Sequence, residues 1–224
     1  MTTSSKTING LKAIIIANGK IIDYDYIKSL LIDELSNNYV IACDGGLCHC
    51  HLLDISPNCI VGDLDSVPSE ILASYKQIPL LQFPPEKDFS DLELAIAHAN
   101  EEGASSIEIL AALGGRLDHQ FANIHVLANS SVSAVLRDET TFIQIIKATP
   151  NPTTLYKKDG NILTLLPLTS TAEGIVTEGL QYPLNNESLS VGYARGLSNL
   201  ITDEYATISL KLGLLVAIQI SEGE

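Results

Sequence analysis

The sequence predicts an α/β domain with a parallel sheet and helices on both of its faces, followed by a C-terminal β-sandwich domain. From Leu11 to about Arg137, short apolar runs alternate with longer segments of helical spacing. The runs are apolar at consecutive positions, as in parallel strands that are covered on both faces. Beyond Thr140 the sequence pattern changes. Thr, Gly, Pro and Asn separate short strand-like runs, and no convincing helix lies between them.

The first part of the chain contains six candidate strands, at residues 13–16, 39–42, 59–61, 78–81, 107–110 and 132–135. Its clearest helix spans 90–102, where apolar residues recur at helical spacing and Gly103 marks the end. Alternating strands and helices form βαβ units, which build a parallel sheet.

The second part contains short strand-like runs at residues 161–166, 174–177, 206–212 and 214–220. The segment 147–154, which contains two prolines, is the natural linker. We therefore predict domains at residues 1–146 and 147–224.

Composition excludes several classes of protein. The 13 Lys and Arg against 27 Asp and Glu give a net charge of −14, which argues against a nucleic-acid-binding protein. The 46% of hydrophobic and 18% of charged residues are typical of a folded chain. No apolar run approaches the roughly 20 residues of a membrane helix. Four cysteines do not make a disulfide framework, so we expect a cytoplasmic protein with reduced thiols and no membrane partner.

Carboxylates lie at the predicted strand ends. Asp44 follows the second strand, Asp63 and Asp65 follow the third, and Asp88 and Asp91 precede the long helix. The carboxyl ends of parallel strands meet at one edge of the sheet, where α/β proteins bind their ligands. One site can therefore use all of these acids.

Asp63 and Asp65 are two residues apart and can aim at a common ion. Crowded carboxylates repel each other, and a hard cation such as Mg²⁺ relieves that repulsion while keeping waters for phosphate oxygens. Asp91, with Asp88 beside it, can complete the set. Each acid alone also fits a turn or a helix start, but their convergence at one edge favours a metal site.

A glycine pair follows the fifth strand. Gly114 and Gly115 permit close backbone approach, and a helix start next to them can hold phosphate. Arg116 adds a permanently charged donor pair, with Asp118 and His119 close behind. A tight turn is the alternative for the glycines alone. The sequence has neither a P-loop motif nor a dinucleotide-binding glycine motif.

The segment Cys48-His49-Cys50-His51 invites a zinc assignment. Alternate residues of one short segment rarely meet a tetrahedral ion together, and no second Cys/His cluster is present to complete the ligands. A helix with buried thiols and exposed imidazoles is the better prediction.

In combination, five short motifs resemble those of the thiamine pyrophosphokinase family, in the same order. They are Asp44-Gly45-Gly46, Gly62-Asp63-Leu64-Asp65-Ser66, Lys87-Asp88-Phe89-Ser90-Asp91-Leu92, Gly114-Gly115-Arg116-Leu117-Asp118-His119 and Gly196-Leu197-Ser198-Asn199. The resemblance implies transfer of pyrophosphate from ATP to the hydroxyl of thiamine, which gives thiamine diphosphate and AMP. It also implies a homodimer whose interface forms the thiamine sites.

The resemblance further implies roles for residues. Asp63, Asp65 and Asp91 would hold Mg²⁺, with Asp44 and Asp88 supporting the metal and phosphate region. The nucleotide side of the site would comprise Asp44, Gly45, Gly46, Gly114, Gly115, Arg116, Asp118 and His119. Thiamine would contact Ser198 and Asn199, and the catalytic residues would be Asp63, Asp65, Asp88, Asp91 and Arg116.

Two alternatives stay open. A different Mg²⁺-dependent enzyme, such as a nucleotide hydrolase, could use the same acids without Ser198 and Asn199. A non-catalytic module that senses thiamine or nucleotide would keep the binding residues and show no turnover. Pyrophosphoryl transfer needs in-line positioning and charge neutralisation, which carboxylates with Mg²⁺, an Arg and glycine amides can supply.

Overall fold

The computed structural model describes residues 10–221 except 33, 36 and 85, so the ends of both predicted domains, 1–9 and 222–224, lie outside the described residues. Within the described part, the helices are α1 (Tyr24–Leu31), α2 (Gly46–Leu53), α3 (Ser69–Ser74), α4 (Asp91–Glu101) and α5 (Leu117–Asn129), with a short 3₁₀ turn at Lys157–Asp159. The first seven strands are β1 (Lys12–Ile16), β2 (Tyr39–Cys43), β3 (Cys59–Gly62), β4 (Leu80–Gln82), β5 (Ser106–Leu110), β6 (Ser133–Arg137) and β7 (Thr141–Lys147). The remaining strands are β8 (Thr153–Tyr156), β9 (Ile162–Pro167), β10 (Thr171–Glu178), β11 (Asn185–Ser190), β12 (Asn199–Leu200), β13 (Tyr205–Ser209) and β14 (Leu214–Ile220).

The predicted fold class is confirmed. Strands β6-β5-β1-β2-β3-β4 are parallel neighbours, and the side chains of the central strands alternate between two helix-covered faces, whereas the edge strand β4 is exposed. Ile14 and Ile16 pack with α1 and α2 on one face, while Ala13 and Ile15 pack with α4 and α5 on the other. Burial on both faces explains why these strands are apolar at consecutive positions.

The sandwich shares a sheet with the α/β part. β7 pairs antiparallel with β6, and β14, β9 and β12 follow, so that one ten-stranded sheet runs through the described chain. A second sheet, β11-β10-β13-β8, packs on this extension through a core that includes Leu163, Ile175 and Ile208. β7 therefore spans the predicted boundary at residue 146, and the predicted linker 147–154 contains the first residues of β8.

The order of the parallel strands places a crevice between β1 and β5. The chain runs outward from β1 to β4 and then returns to β5 on the other side of β1. The segments after β1 and β5 consequently leave toward opposite faces, and ligands bind at such a reversal in open α/β sheets. None of the described helices is long and apolar enough to cross a membrane.

Candidate active site

A cavity of about 520 Å³ lies at the carboxyl ends of the parallel strands. Its walls come from the segments after β1, β2, β3 and β5 and from the start of α4. They include Asn18, Gly19, Asp44, Asp63, Lys87, Asp91, Gly115, Arg116 and His119. Of the acids predicted to converge, Asp44, Asp63 and Asp91 line this cavity, whereas Asp65 and Asp88 are not among its lining residues.

Three carboxylates form an acidic cluster, and two of them, Asp44 and Asp63, line the cavity. Asp44, Asp63 and Asp65 each place an oxygen within 4.8 Å of the others. The hydroxyl of Ser66 donates to Asp44 Oδ2 over 3.1 Å, whereas Asp44 Oδ1 is buried with no hydrogen-bond partner among the described residues. The charge of Asp63, followed by burial and the charge of Asp44, raises the pKa of Asp65. An unpartnered buried oxygen within an all-carboxylate set fits a hard divalent cation.

Unusual backbone conformations hold the cluster in place. Asp44 and Leu64 both have positive φ, at 51° and 64°. Gly62 has φ of 147°, and a Cβ there would lie 3.0 Å from the Cα of Asp44. Only a glycine permits this approach between the ends of β2 and β3. Such outliers in non-glycine residues cost free energy and concentrate at functional sites.

Lys87 separates Asp91 from the acidic cluster. Its Nζ lies 2.9 Å from Asp91 Oδ1 and 3.8 Å from Asp63 Oδ2. Asp91 is fixed at the start of α4 by a capping box, in which Ser90 Oγ accepts from the backbone of Glu93 and Glu93 accepts from the backbone of Ser90. Burial lowers the pKa of Lys87, but its hydrogen bond with Asp91 and the nearby carboxylates outweigh this and raise it. Of the predicted metal ligands, Asp63 and Asp65 thus group with Asp44, and Asp91 is paired with Lys87.

The loop after β5 presents its backbone to the cavity. Gly114 has φ of 76°, and no described atom comes within 4 Å of a Cβ built on Gly115. The side chain of Gln120 donates to the carbonyl of Gly115 over 2.9 Å. A ligand can therefore approach the backbone at Gly115 without meeting a side chain.

Arg116 lies at the exposed edge of the cavity, where it pairs with Asp118. Their two contacts are 2.6 Å from Nη2 to Oδ2 and 3.1 Å from Nε to Oδ1. The guanidinium lowers the pKa of Asp118 to about 2, so this carboxylate stays charged at neutral pH. Asp118 also accepts from the backbone N–H of His119, whose exposed side chain lines the cavity. This pairing orients the arginine fork at the start of α5.

Other predicted site residues take different positions. Asp88 is exposed and is not among the described residues that line the cavity. Gly45 and Gly46 are buried, and a Cβ on them would collide with the side chain of Asn18 and the carbonyl of Ile16. The two glycines let α2 begin directly against the end of β1.

Sequence reasoning missed several cavity residues. Asn18 Nδ2 lies 3.5 Å from both Asp44 Oδ2 and Ser66 Oγ, next to the acidic cluster. The side chain of Asn123 donates to the carbonyl of Ala112 over 2.8 Å and fixes the loop after β5. Asn18 lies two residues after the first predicted strand, and this position at a strand end could have identified it as a site residue.

Ser198 and Asn199 lie in the sandwich part, outside the cavity. Ser198 has φ of 54°, and its side chain is exposed. The side chain of Asn199 accepts from the backbone of Tyr182 over 3.0 Å and donates to the carbonyl of Tyr182 over 2.7 Å. Asn199 thus holds the loop that presents Ser198.

The Cys-His segment forms α2, as predicted. Cys50 is buried, which raises its pKa to about 12, and His51 is exposed. His49 is half-buried instead of exposed, since its ring contacts the hydroxyl of Tyr24 at 2.7 Å and the carbonyl of Gly19 at 2.9 Å. These contacts give the imidazole a structural role beside the cavity.

Comparison with known proteins gives matches in both parts of the chain. Residues 33–136 match the catalytic domain of thiamin pyrophosphokinase, and residues 147–215 match its vitamin B1 binding domain. The chain is 31% identical to thiamine pyrophosphokinase of Bacillus subtilis over 165 residues, which cover 70% of this chain and 76% of that protein. It is 28% identical to thiamine pyrophosphokinase 1 of Oryza sativa over 73% of this chain, and spans 66% of that relative's length.

Solved structures share the fold. A crystal structure of thiamine pyrophosphokinase from Bacillus subtilis matches 95% of this chain and 100% of its own, with a TM-score of 0.82 and 24% identity. Thiamin pyrophosphokinase from Candida albicans matches 94% of this chain and 90% of its own, with a TM-score of 0.76 and 18% identity. The α/β part with an appended sandwich is therefore common to these proteins and this chain.

Proposed function

The chain belongs to the thiamine pyrophosphokinase family, and from this premise we propose that it transfers the pyrophosphate of ATP to the hydroxyl of thiamine. The products are thiamine diphosphate and AMP. The observation that supports this reaction most strongly is the acidic cluster, with its unpartnered Asp44 oxygen, in the same cavity as Gly115 and Arg116. Phosphoryl transfer depends on this combination of cation-binding and phosphate-binding groups.

We assign Mg²⁺ to the acidic cluster. Asp44, Asp63 and Asp65 would hold the ion, since their oxygens lie together and Asp44 Oδ1 has no other partner among the described residues. When bound, Mg²⁺ supplies charge neutralisation for the phosphate oxygens. The positive-φ backbone at Asp44 fixes the direction of its carboxylate before any ligand arrives.

The loop after β5 handles the phosphates in this proposal. The open backbone at Gly115 admits a phosphate group, and the Arg116 fork, oriented by Asp118, neutralises its charge. His119 completes this wall. Asp91 is better placed than Asp88 to accept the proton of the thiamine hydroxyl, because Asp91 lines the cavity and Asp88 does not.

Thiamine binds between two copies of the chain in this proposal. The described residues that line the cavity all come from the α/β part, whereas Ser198 lies in the sandwich part. The cavity and the loop of Ser198 would each form half of a thiamine site. Exposed apolar side chains flank both halves, with Leu117 and Phe121 beside the cavity and Tyr182 and Leu197 beside Ser198. Exposed apolar groups near two incomplete half-sites favour a homodimer that covers them.

We also propose that the boundary between the two domains lies between residues 146 and 147. The two matched regions, 33–136 and 147–215, fall on either side of it. The location that we propose is cytoplasmic, because ATP is available there and the four cysteines are unpaired.

The products of the reaction test the proposal. With ATP, Mg²⁺ and thiamine, we expect AMP and thiamine diphosphate in equal amounts, and little AMP when thiamine is omitted. ADP with thiamine monophosphate would mean attack at the γ-phosphorus and would overturn the proposal. Phosphate released without thiamine would favour the nucleotide hydrolase, and binding without products would favour the sensing module.

A further inference from the structure

Lys87 is a largely buried cation within the candidate active site that has no part in the roles assigned above. Its side chain is 13% exposed, and its Nζ lies 2.9 Å from Asp91 Oδ1 and 3.8 Å from Asp63 Oδ2. The lysine therefore bridges a carboxylate of the acidic cluster and the first residue of α4.

The charges around Lys87 are strongly unbalanced. The carboxylates of Asp44, Asp63 and Asp91 line the cavity near Lys87, and Asp65 joins the first two in the acidic cluster. Arg116 does not balance them, because its guanidinium is engaged by Asp118. Without a metal ion, the ammonium of Lys87 lies between Asp63 and Asp91 and offsets the repulsion between them.

We propose that Lys87 is the resident counter-ion of the metal-free site and that a divalent cation displaces it from Asp63. A dication held by Asp63 and an ammonium 3.8 Å from the same carboxylate repel each other. The flexible four-carbon stem of a lysine lets its charge move where the planar fork of an arginine is constrained. The displaced ammonium stays in the cavity, where it meets the phosphate oxygens of the nucleotide.

This inference rests on the proposed metal site but not on the identity of the acceptor. It implies that Lys87 already neutralises part of the carboxylate charge in the metal-free site. Mg²⁺ must therefore compete with the ammonium of Lys87. Metal binding and the release of a phosphate-binding lysine then become one event.

Chemical labelling of the unmodified protein tests the displacement directly. We expect acetic anhydride to modify Lys87 severalfold faster when Mg²⁺ is present, as measured by mass spectrometry of the peptides. Lys76 is exposed after α3 and serves as the internal reference, whose rate stays constant. If calorimetry shows bound Mg²⁺ while the rate at Lys87 is unchanged or lower, the inference is wrong.

A second test compares variants by Mg²⁺ titration in the absence of nucleotide. Lys87→Met should bind Mg²⁺ about tenfold more tightly than the wild type, because a competing positive charge is gone. Its metal-free form should melt at a lower temperature. Lys76→Met removes a charge outside the cavity and should bind Mg²⁺ with the wild-type affinity. Lys87→Arg keeps the charge in a less mobile side chain and should bind Mg²⁺ no more tightly than the wild type.

Equal or weaker Mg²⁺ binding by a folded Lys87→Met variant would contradict the inference. If that variant does not fold, the labelling of the wild type decides alone. Failure of the wild type to bind Mg²⁺ at all would overturn the proposed metal site, whereas Mg²⁺ binding without any change at Lys87 overturns this inference only.

Discussion

Asp63→Asn is expected to lower turnover by about 10²- to 10³-fold while the protein stays folded. Asp63 belongs to the acidic cluster and also faces the amine of Lys87 at 3.8 Å. An amide keeps the shape of the side chain but supplies no charge to a cation. The measurement is the turnover number with saturating ATP, Mg²⁺ and thiamine.

The same variant should not unfold more easily without metal. The charge of Asp63 is the largest cause of the raised pKa of Asp65. A carboxyl whose pKa is raised in the fold is destabilising at neutral pH, where it is charged, and this effect vanishes at low pH. Removing the charge of Asp63 should therefore return the pKa of Asp65 toward its ordinary value and leave the melting temperature unchanged or higher at pH 7.

Asp54→Asn is the matched control. Asp54 is exposed, lies at the end of α2 and has φ of 59°, a conformation that asparagine tolerates well. It should retain full activity. Near-normal turnover of Asp63→Asn at ordinary Mg²⁺ would contradict the role of the acidic cluster.

Two inactive variants are expected to restore activity when their subunits are mixed. Asp63→Asn damages the α/β half of each site, and Ser198→Lys places a cation where the proposal puts the positively charged thiamine. In a mixed dimer, one of the two sites receives both intact halves. Random exchange should therefore recover about a quarter of the wild-type activity.

Sedimentation and a conservative variant control this experiment. The active species should have a mass of about 48 kDa, twice the 24.1 kDa of one chain. Ser198→Ala keeps the backbone and should retain most of the activity. Mixed dimers without recovered activity, or a fully active monomer, would reject a site shared between subunits.

The parallel half of the sheet was predictable because its signal is local. β1, β2 and β3 are apolar at consecutive positions, and in β5 only Glu108 interrupts the apolar run of 107–110. The predicted bounds of these four strands differ from the observed ones by at most one residue. β4 was placed less accurately, at 78–81 instead of Leu80–Gln82. All three residues of β4 are exposed at the edge of the sheet. Its sequence therefore carries no pattern of buried apolar positions that would fix its bounds.

The strand β7 was missed for a different reason. Its burial is interrupted, and its partners are β6 next to it and β14 about 70 residues further along the chain. Pairs such as Ile143 with Ile218 are set by long-range packing, which hydrophobic periodicity does not encode. The sequence could therefore predict a sandwich but not that one of its sheets continues the parallel sheet.

Some features of the site were also predictable from the sequence, and others depend on long-range packing. Because parallel strands align their carboxyl ends, the convergence of Asp44, Asp63 and Asp65 follows from the fold class. The i,i+4 spacing of Lys87 and Asp91 is visible in the sequence, but the approach of Lys87 to Asp63 joins segments 24 residues apart and depends on the folded chain. Long-range packing also decides the role of Asn199, whose side chain binds the backbone of Tyr182 in a different loop.

In the proposed reaction the thiamine hydroxyl attacks the β-phosphorus of ATP in the cavity at the ends of β1, β2, β3 and β5. ATP that carries ¹⁸O in the bridge between its α- and β-phosphorus identifies which phosphorus is attacked. We expect the bridging oxygen to leave with AMP, so that all of the label appears in AMP and none in thiamine diphosphate. Label in inorganic pyrophosphate would mean attack at the α-phosphorus, label in ADP would mean attack at the γ-phosphorus, and either result would rule out attack at the β-phosphorus.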